Sequence, residues 1–150
     1  MIVTRKLAEW EYRATAARVP LLCVDGILGS SGPMPCKFLL VRRRFPPFQG
    51  EWWPPGGRVF KGETLIQAFR RVMWEEVRVR VGGKVRIAGV YELRYGQADA
   101  DAPGGRHTVS VVFEATVPKE ATIRLDEQSS AWTWATRLPA KFRLKEERWR

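Results

Sequence analysis

The chain has 150 residues, 45% of them hydrophobic and 28% charged, a composition typical of one globular domain (residues 1–150) and unlike that of a disordered chain. Its 26 Lys and Arg outnumber the 16 Asp and Glu and give a formal net charge of +10, so we expect polyanionic partners such as nucleotides or nucleic acid. Because no apolar run approaches the roughly 20 residues that cross a bilayer, and charges interrupt the N-terminus, we expect no membrane partner, no signal peptide and a cytoplasmic location.

The first part of the sequence predicts a helix followed by two strands. Thr4 can cap the helix and Pro20 closes it. The apolar residues that follow helical spacing between them are Leu7, Trp10, Ala14 and Ala17. Apolar runs at 21–28 and 38–41 then predict two strands, because a segment rich in Gly, Ser and Pro joins them as a turn.

A loop, a second helix and a run of strands are predicted next. Residues 46–57 are rich in Pro and Gly and should carry neither a helix nor a central strand, since proline lacks the backbone donor. A helix is predicted over about 63–77. Further strands are predicted near 85–95, 108–117 and 132–136. Pro139 fits the first turn of a short last helix, which continues into a basic tail at about 140–150. Strands on either side of a central helix predict an α/β sandwich with a mixed sheet.

One acidic residue occupies an apolar position on the predicted 63–77 helix. Glu76 falls inside the apolar arc of this helix, where an ionised carboxylate is costly unless it is paired or bound to a metal. The arc consists of Leu65, Ile66, Phe69, Val72, Met73 and Val77. Glu75 lies about 100° away, one turn from Arg71, so two adjacent carboxylates suit Mg²⁺ or Mn²⁺. The alternative is a frayed helix end, with Glu76 in solvent or paired with Arg42, Arg43 or Arg58.

The segment GGRVFKGETLIQAFRRVMWEEVRV resembles the Nudix box, G-x5-E-x7-R-E-U-x-E-E-x-G-U, where U is a bulky aliphatic residue. The matching positions are Gly57, Glu63, Arg71, Met73, Glu75, Glu76 and Val79. Two positions depart from the pattern, because Val72 replaces a glutamate and Arg78 replaces a glycine. The resemblance implies a Nudix-type α/β/α sandwich with a mixed β-sheet between helices. It also implies a Mg²⁺-dependent (or Mn²⁺-dependent) hydrolase of a nucleoside diphosphate derivative, and the lost carboxylate favours one metal over several.

Within this family the chain resembles the GDP-mannose mannosyl hydrolase branch over about residues 20–139. The features that carry this likeness are VPLLCVDGIL, QGEWWPPGGRVFKGETL, AFRRV, and LDEQ followed by AWTWATRLP. The likeness implies a nucleotide sugar such as GDP-mannose as the substrate. The metal ligands it implies are Glu75, Glu76, Gln128 and the carbonyl of Gly57 or Gly56. The catalytic residues would be Glu76, Glu75 and Arg71, and the substrate-binding residues would be Arg43, Arg58 and Asp25.

Several of these residues have a purely structural alternative. Arg71 can simply bridge Glu63, and Gln128 can satisfy the backbone of its own loop. Trp52 and Trp53 can stack on a base, although tryptophans beside a proline loop more often pack inside the protein.

The branch places a histidine, as general base, where this chain has Ser129. A serine hydroxyl accepts no proton near neutral pH without a base of its own. His107 lies at the start of a predicted strand and is interpreted as structural. Attack at a sugar carbon therefore lacks its expected proton acceptor unless Glu127 or a metal-bound hydroxide substitutes. Pyrophosphohydrolase attack at phosphorus, on nucleotides or RNA 5′ ends, needs no histidine.

The rival hypothesis is a degenerate Nudix domain that binds RNA or a protein partner without efficient turnover. It is motivated by the net charge, the basic run 42–44, the basic tail and the missing glutamate. The sequence is compatible with a monomer and with a homodimer.

Overall fold

The computed structural model of the protein describes residues 6–32, 37–46, 48–94 and 104–142, in which the apolar runs form the strands of one mixed sheet. The elements are α1 (Glu9–Ala16), β1 (Leu21–Gly29), β2 (Phe38–Arg43), β3 (Trp52–Trp53), β4 (Gly56–Arg58), α2 (Leu65–Val77), β5 (Arg86–Arg94), β6 (His107–Thr116) and β7 (Ser129–Ala135). In these ranges no helix is long and apolar enough to cross a membrane.

The sheet is centred on β1. Its strand order is β3-β2-β1-β6-β5, with β4 also pairing with β1 and β7 with β2. β1 and β6 run parallel, from Leu21 opposite Thr108 to Gly29 opposite Thr116, and the other pairs are antiparallel. β1 can take this central place because its apolar run buries side chains on both faces of the sheet.

Helix α2 covers one face of the sheet with its apolar arc. Phe69 stacks on Phe113 of β6, with ring centroids 4.8 Å apart. Gly26 of β1 allows this close approach, because a Cβ added there would lie 2.7 Å from the sulfur of Met73. A second, smaller hydrophobic cluster consists of Ile27, Trp53, Tyr91, Val112 and Phe142.

The α/β class and the mixed sheet are confirmed, as are the five predicted strands and the central helix. α2 starts at Leu65 because Thr64 caps it: the Thr64 hydroxyl accepts from the Gln67 N–H, and the Gln67 side chain accepts from the Thr64 N–H. Residues 46–57 carry two short strands that the sequence did not predict, β3 and the start of β4. Each pairs with one neighbour in the described part of the chain, so neither is a central strand and that prediction is confirmed. Pro54 and Pro55 lie between β3 and β4, so the missing proline donors leave β4 able to pair with β1.

Two predictions at the ends of the chain need correction. The first helix begins at Glu9, and its supposed apolar face is largely in solvent, with Trp10 72% exposed. Thr4, the predicted cap, lies outside the described residues. The predicted helix after Pro139 is a turn within the described range, closed by the Phe142 N–H on the Pro139 carbonyl, and residues 143–150 of the basic tail lie outside that range.

Arg78 ends α2 in a left-handed conformation, with φ 58° and ψ 30°. A Cβ is crowded in this conformation, so glycine is the usual residue at such a helix end. The glycine that the Nudix pattern requires at this position therefore has a backbone reason, and Arg78 retains the strain.

We expect Arg78→Gly to raise the free energy of unfolding by about 0.5 to 1 kcal/mol, because relief of the left-handed strain exceeds the extra unfolded-state entropy of glycine. Urea denaturation measures this. Arg80→Gly is the matched control, since Arg80 is also exposed and also lies over the Trp74 ring but has no positive φ. Equal effects of the two substitutions would contradict the strain at Arg78.

Candidate active site

A cavity of about 460 Å³ opens where β1, β4, α2 and the start of β7 meet. Its size suits a small-molecule ligand. All of the predicted site residues line it, namely Asp25, Arg43, Gly57, Arg58, Arg71, Glu75, Glu76 and Gln128. Residues that are more than 100 positions apart in the sequence are thus brought into one cavity, although their individual roles stay predictions.

Glu76 is the buried acid of this cavity. It is 7% exposed, and one of its oxygens accepts a hydrogen bond from the Gly56 N–H at 3.0 Å. Burial raises the pKa of Glu76 to about 8, against the lowering effect of the Gly56 hydrogen bond, and the nearby charges of Asp126 and Asp25 raise it further. Glu76 makes no ion pair within the described residues. The alternatives of a solvent-exposed or arginine-paired Glu76 were therefore wrong.

Gly56 is where the loop, β1 and α2 come closest. It pairs with Asp25 in the register of β1 and β4. A Cβ on Gly56 would lie 1.8 Å from an oxygen of Asp25 and 2.9 Å from the carbonyl oxygen of Val24. No side chain fits there, so the glycine is required for the two carboxylates to approach the same stretch of backbone.

Asp25 is a second acid of the cavity and is half-buried. The Ser110 hydroxyl of β6 donates a short hydrogen bond to it. Burial raises the pKa of Asp25 to about 6, while the Ser110 hydrogen bond and the charge of Arg43 lower it. Asp25 is thus ionised near neutral pH but close to its titration range. Its predicted part in positioning a sugar or base stays a prediction.

Arg71 is held by hydrogen bonds to both sides of the loop. Its Nε donates to Glu63 at 2.5 Å, its Nη1 to Glu75 at 3.0 Å and its Nη2 to the Arg58 carbonyl at 2.8 Å. Its guanidinium also lies over the Phe60 ring, 3.8 Å from the centroid. The bridge to Glu63, one of the two alternatives for Arg71, is therefore present, and it fastens the glycine loop to α2.

Arg58 lies over an aromatic ring of α1 that the sequence did not single out. Its guanidinium carbon is 4.2 Å from the centroid of Tyr12, and that of Arg106 is 5.6 Å from the same centroid. Tyr12 and Arg106 both line the cavity. Helical spacing alone gave no sign of this contact, because α1, β4 and the residue before β6 meet only in the tertiary structure.

The segment that carries Gln128 runs beside the C-terminal end of α2. The Asp126 N–H donates to the Glu76 carbonyl at 3.2 Å, and the Gln128 N–H donates to the Asp126 side chain at 2.9 Å. Burial raises the pKa of Asp126. The sequence did not single out Asp126, although the LDEQ segment contains it and was a usable signal.

The basic run 42–44 does not form one basic patch. The Arg42 Nε donates to the Gly50 carbonyl, Arg43 lines the cavity, and Arg44 donates to the Ser129 carbonyl at 3.4 Å. The run therefore contributes to loop and cavity structure. It lends little support to an RNA surface at this place.

Four further residues that the sequence singled out are Trp52, Trp53, His107 and Val72. Trp53 packs in the smaller core cluster, 4.8 Å from the Phe48 ring, whereas the exposed Trp52 does not line the cavity. His107 also lies off the cavity lining, with its Nε2 2.7 Å from Glu92. Val72, which replaces a Nudix glutamate, is buried against Gly57.

The cavity residues fit a hard divalent cation. In the described part of the chain no three His, Cys, Asp or Glu side chains are grouped as a complete metal site. Mg²⁺ needs only one or two carboxylates, however, because waters and substrate phosphates supply its other ligands. A buried carboxylate with a raised pKa, surrounded by further acids, is compatible with such a cation because a positive charge would relieve the repulsion.

Comparison with known proteins links this cavity to one family. Residues 25–149 match the model of the NUDIX domain. The chain is 35% identical over 127 residues to the low-salt glycan biosynthesis protein Agl8 of Haloferax volcanii, covering 85% of this chain and 78% of that protein.

Two other matches concern ADP-ribose. The chain is 36% identical over 94 residues to the ADP-ribose pyrophosphatase of Methanocaldococcus jannaschii, covering 63% of this chain and 49%, about half, of that protein. It is also similar to the NUDIX domain of Shewanella oneidensis NrtR, whose structure was determined with ADP ribose. The TM-score is 0.63 and the identity 26%, with 86% of this chain and 83% of that chain covered.

We expect the metal-free protein to lose stability as the pH rises from 6 to 8. The folded-state pKa of Glu76, about 8, exceeds its ordinary value of 4.5, so the stability that its protonated form contributes is lost as the pH rises toward 8. One such group changes the free energy of unfolding by at most about 1.4 kcal/mol per pH unit. Denaturant melts at pH 6, 7 and 8 measure the slope.

Glu76→Gln should flatten this slope. Asp25→Asn is the control and should keep most of it, because the pKa of Asp25 is only about 6. An unchanged slope in Glu76→Gln would contradict the assignment of the titration to Glu76.

Proposed function

The chain belongs to the NUDIX domain family and is a Nudix hydrolase, and on this premise we propose that it cleaves a nucleoside diphosphate derivative in a Mg²⁺-dependent reaction, with a nucleotide sugar such as GDP-mannose as its substrate. The observation that carries this proposal is the Glu76 carboxylate, buried against the Gly56 N–H in a cavity that arginines also line. A buried acid and basic side chains in one cavity suit a ligand that combines a cation with phosphates.

Glu76, Glu75, Gln128 and the Gly57 carbonyl are the groups that would hold Mg²⁺ or Mn²⁺. When bound, the ion supplies positive charge that offsets the charge developing on the phosphates. The backbone N–H of Gly56 keeps the Glu76 carboxylate turned into the cavity. Arg71 donates hydrogen bonds to Glu63 and to the Arg58 carbonyl, and these bonds hold the loop against α2.

The arginines of the cavity are proposed to bind the diphosphate. Arg58 is oriented by the Tyr12 ring and makes no ion pair with a carboxylate among the described residues. The charge of Arg43 lowers the pKa of both Asp25 and Glu76, so this guanidinium lies near the two acids. Planar guanidinium groups are well suited to paired hydrogen bonds with phosphate oxygens. Asp25 would then position the sugar or the base.

The relatives support a nucleoside diphosphate linked to a sugar. One of them is a glycan biosynthesis protein and another is an ADP-ribose pyrophosphatase. The third is a NUDIX domain whose structure was determined with ADP ribose. ADP-ribose is itself a nucleoside diphosphate joined to a sugar, so these descriptions share one type of linkage. GDP-mannose is one member of that class.

Attack at phosphorus is the second candidate reaction, and a specific observation favours it. Ser129, at the position of the expected histidine base, is buried and lines the cavity. Glu127, the considered substitute, is exposed and does not line the cavity, and His107 pairs with Glu92 elsewhere. Attack at a sugar carbon thus lacks the proton acceptor that the branch uses there.

Incubation with GDP-mannose and Mg²⁺, followed by separation of the products, distinguishes the two reactions. We expect turnover; mannose and GDP would identify attack at the sugar carbon, whereas mannose 1-phosphate and GMP would identify attack at phosphorus. ADP-ribose serves as the comparison substrate. Absence of turnover with these and a wider set of nucleotides would contradict the proposed activity.

Glu76→Gln should lower turnover about 100-fold or more, because it removes a charged ligand and keeps the side-chain volume and the acceptor for the Gly56 N–H. Glu120→Gln, at an exposed acid that does not line the cavity, is the matched control and should leave turnover unchanged. Steady-state rates at several Mg²⁺ concentrations make the comparison. A Glu76→Gln protein with most of its activity would rule out the metal site.

A further inference from the structure

The outer side of α2 carries a basic surface that the cavity does not use. Arg70 and Trp74 are exposed and four residues apart, so they lie on one side of the helix. Arg78, the exposed residue that caps α2, places its guanidinium over the Trp74 ring. Arg80 follows directly, and the Arg124 N–H donates to the Val77 carbonyl at 3.1 Å, which brings Arg124 to the same helix end. These five residues are called the α2 basic surface below, and none of them lines the cavity.

Trp74 orders two of the arginines. It is 38% exposed, and the guanidinium carbons of Arg78 and Arg80 lie 5.2 Å and 4.7 Å from its ring centroid. Cation–π contacts of this kind restrict a long side chain that would otherwise move freely in water. Both guanidinium groups are therefore held against the exposed Trp74 ring.

The arginines of the α2 basic surface have no acidic partner among the residues that the structure describes. Over the described ranges none of its four arginines forms an ion pair or a side-chain hydrogen bond with a carboxylate. Cations elsewhere on the surface do so: Arg86 pairs with Glu114, and Arg94 pairs with Glu92. An arginine cluster without acidic partners concentrates positive potential on this side of α2.

The backbone at Arg78 gives independent support. Arg78 holds a left-handed conformation in which glycine would be less strained. Strained residues of this kind persist mainly where they serve a function. The strain places the Arg78 side chain over Trp74, where it completes the pair with Arg80.

From these observations we propose that the α2 basic surface binds the phosphodiester backbone of single-stranded RNA. Arginine forks match phosphate oxygens, and four arginines on α2 and around its C-terminal end suit successive phosphates of a flexible strand. A lipid surface fits less well, because Trp74 is the single large apolar side chain of the cluster and two guanidinium groups cover it. This binding is separate from the proposed hydrolysis and does not depend on it.

The test is fluorescence anisotropy with a labelled oligouridylate of about 12 nucleotides, titrated at several salt concentrations. Arg78→Gln combined with Arg80→Gln should weaken binding about tenfold and lower the salt slope by about 1.4, which corresponds to two lost phosphate contacts. Trp74→Ala should weaken binding as well, whereas Trp74→Phe should retain most of it because the ring remains. The glutamines keep the left-handed backbone position filled by a side chain.

Arg86→Gln combined with Arg94→Gln is the matched control, because it removes the same charge from arginines that already have acidic partners. We expect RNA affinity within about twofold of the unmodified protein for this pair. Equal weakening by both pairs would overturn the proposal, since the RNA would then sense only net charge. Binding to anionic lipid vesicles without binding to RNA would overturn it too.

GDP-mannose turnover of the Arg78→Gln, Arg80→Gln protein separates this proposal from the proposed activity. We expect it to equal that of the unmodified protein, because neither side chain lines the cavity. Loss of turnover together with loss of RNA binding would indicate a damaged fold and would count against a separate surface.

Discussion

The hydrogen bond from the Gly56 N–H to the Glu76 carboxylate joins the glycine loop to the central helix, and the candidate site depends on it. A carboxylate on the apolar side of a helix is costly, so the structure must offer it a donor or a cation. Gly56 supplies the donor because it has no side chain to separate the backbone from Asp25 and Glu76. Burial and neighbouring acids then raise the pKa of Glu76 to about 8, which leaves the cavity with a site suited to positive charge.

Arg71 complements this contact from the other side of the loop. Its bonds to Glu63, Glu75 and the Arg58 carbonyl hold the chain on both sides of the glycines against α2. Most of its donors are thereby engaged within the protein. Phosphate binding is accordingly assigned to the neighbouring arginines, among which Arg58 is oriented by Tyr12 instead of by a carboxylate.

The two departures from the Nudix pattern have different physical consequences. Val72 packs against Gly57 in the core, so the lost carboxylate is replaced by apolar contact between helix and loop. Arg78 keeps the left-handed turn that glycine would adopt without strain, and it adds a guanidinium group to the surface beside Trp74. The first departure removes a candidate metal ligand, whereas the second adds positive charge outside the cavity.

The sequence by itself predicted the central helix, the five main strands and an inward position for Glu76, because apolar periodicity is a local property. The residues that line the cavity were indicated by the resemblance to the Nudix family and not by periodicity. The sequence did not determine the pairing of β4 with β1, the contact of Tyr12 with Arg58, or the approach of Asp126 to Glu76. Those features join segments distant in the chain, and only sheet register and helix packing decide which of them meet. The sequence predicts that the Glu76 carboxylate is costly at its apolar position. Only the tertiary structure shows that the Gly56 N–H donates a hydrogen bond to it.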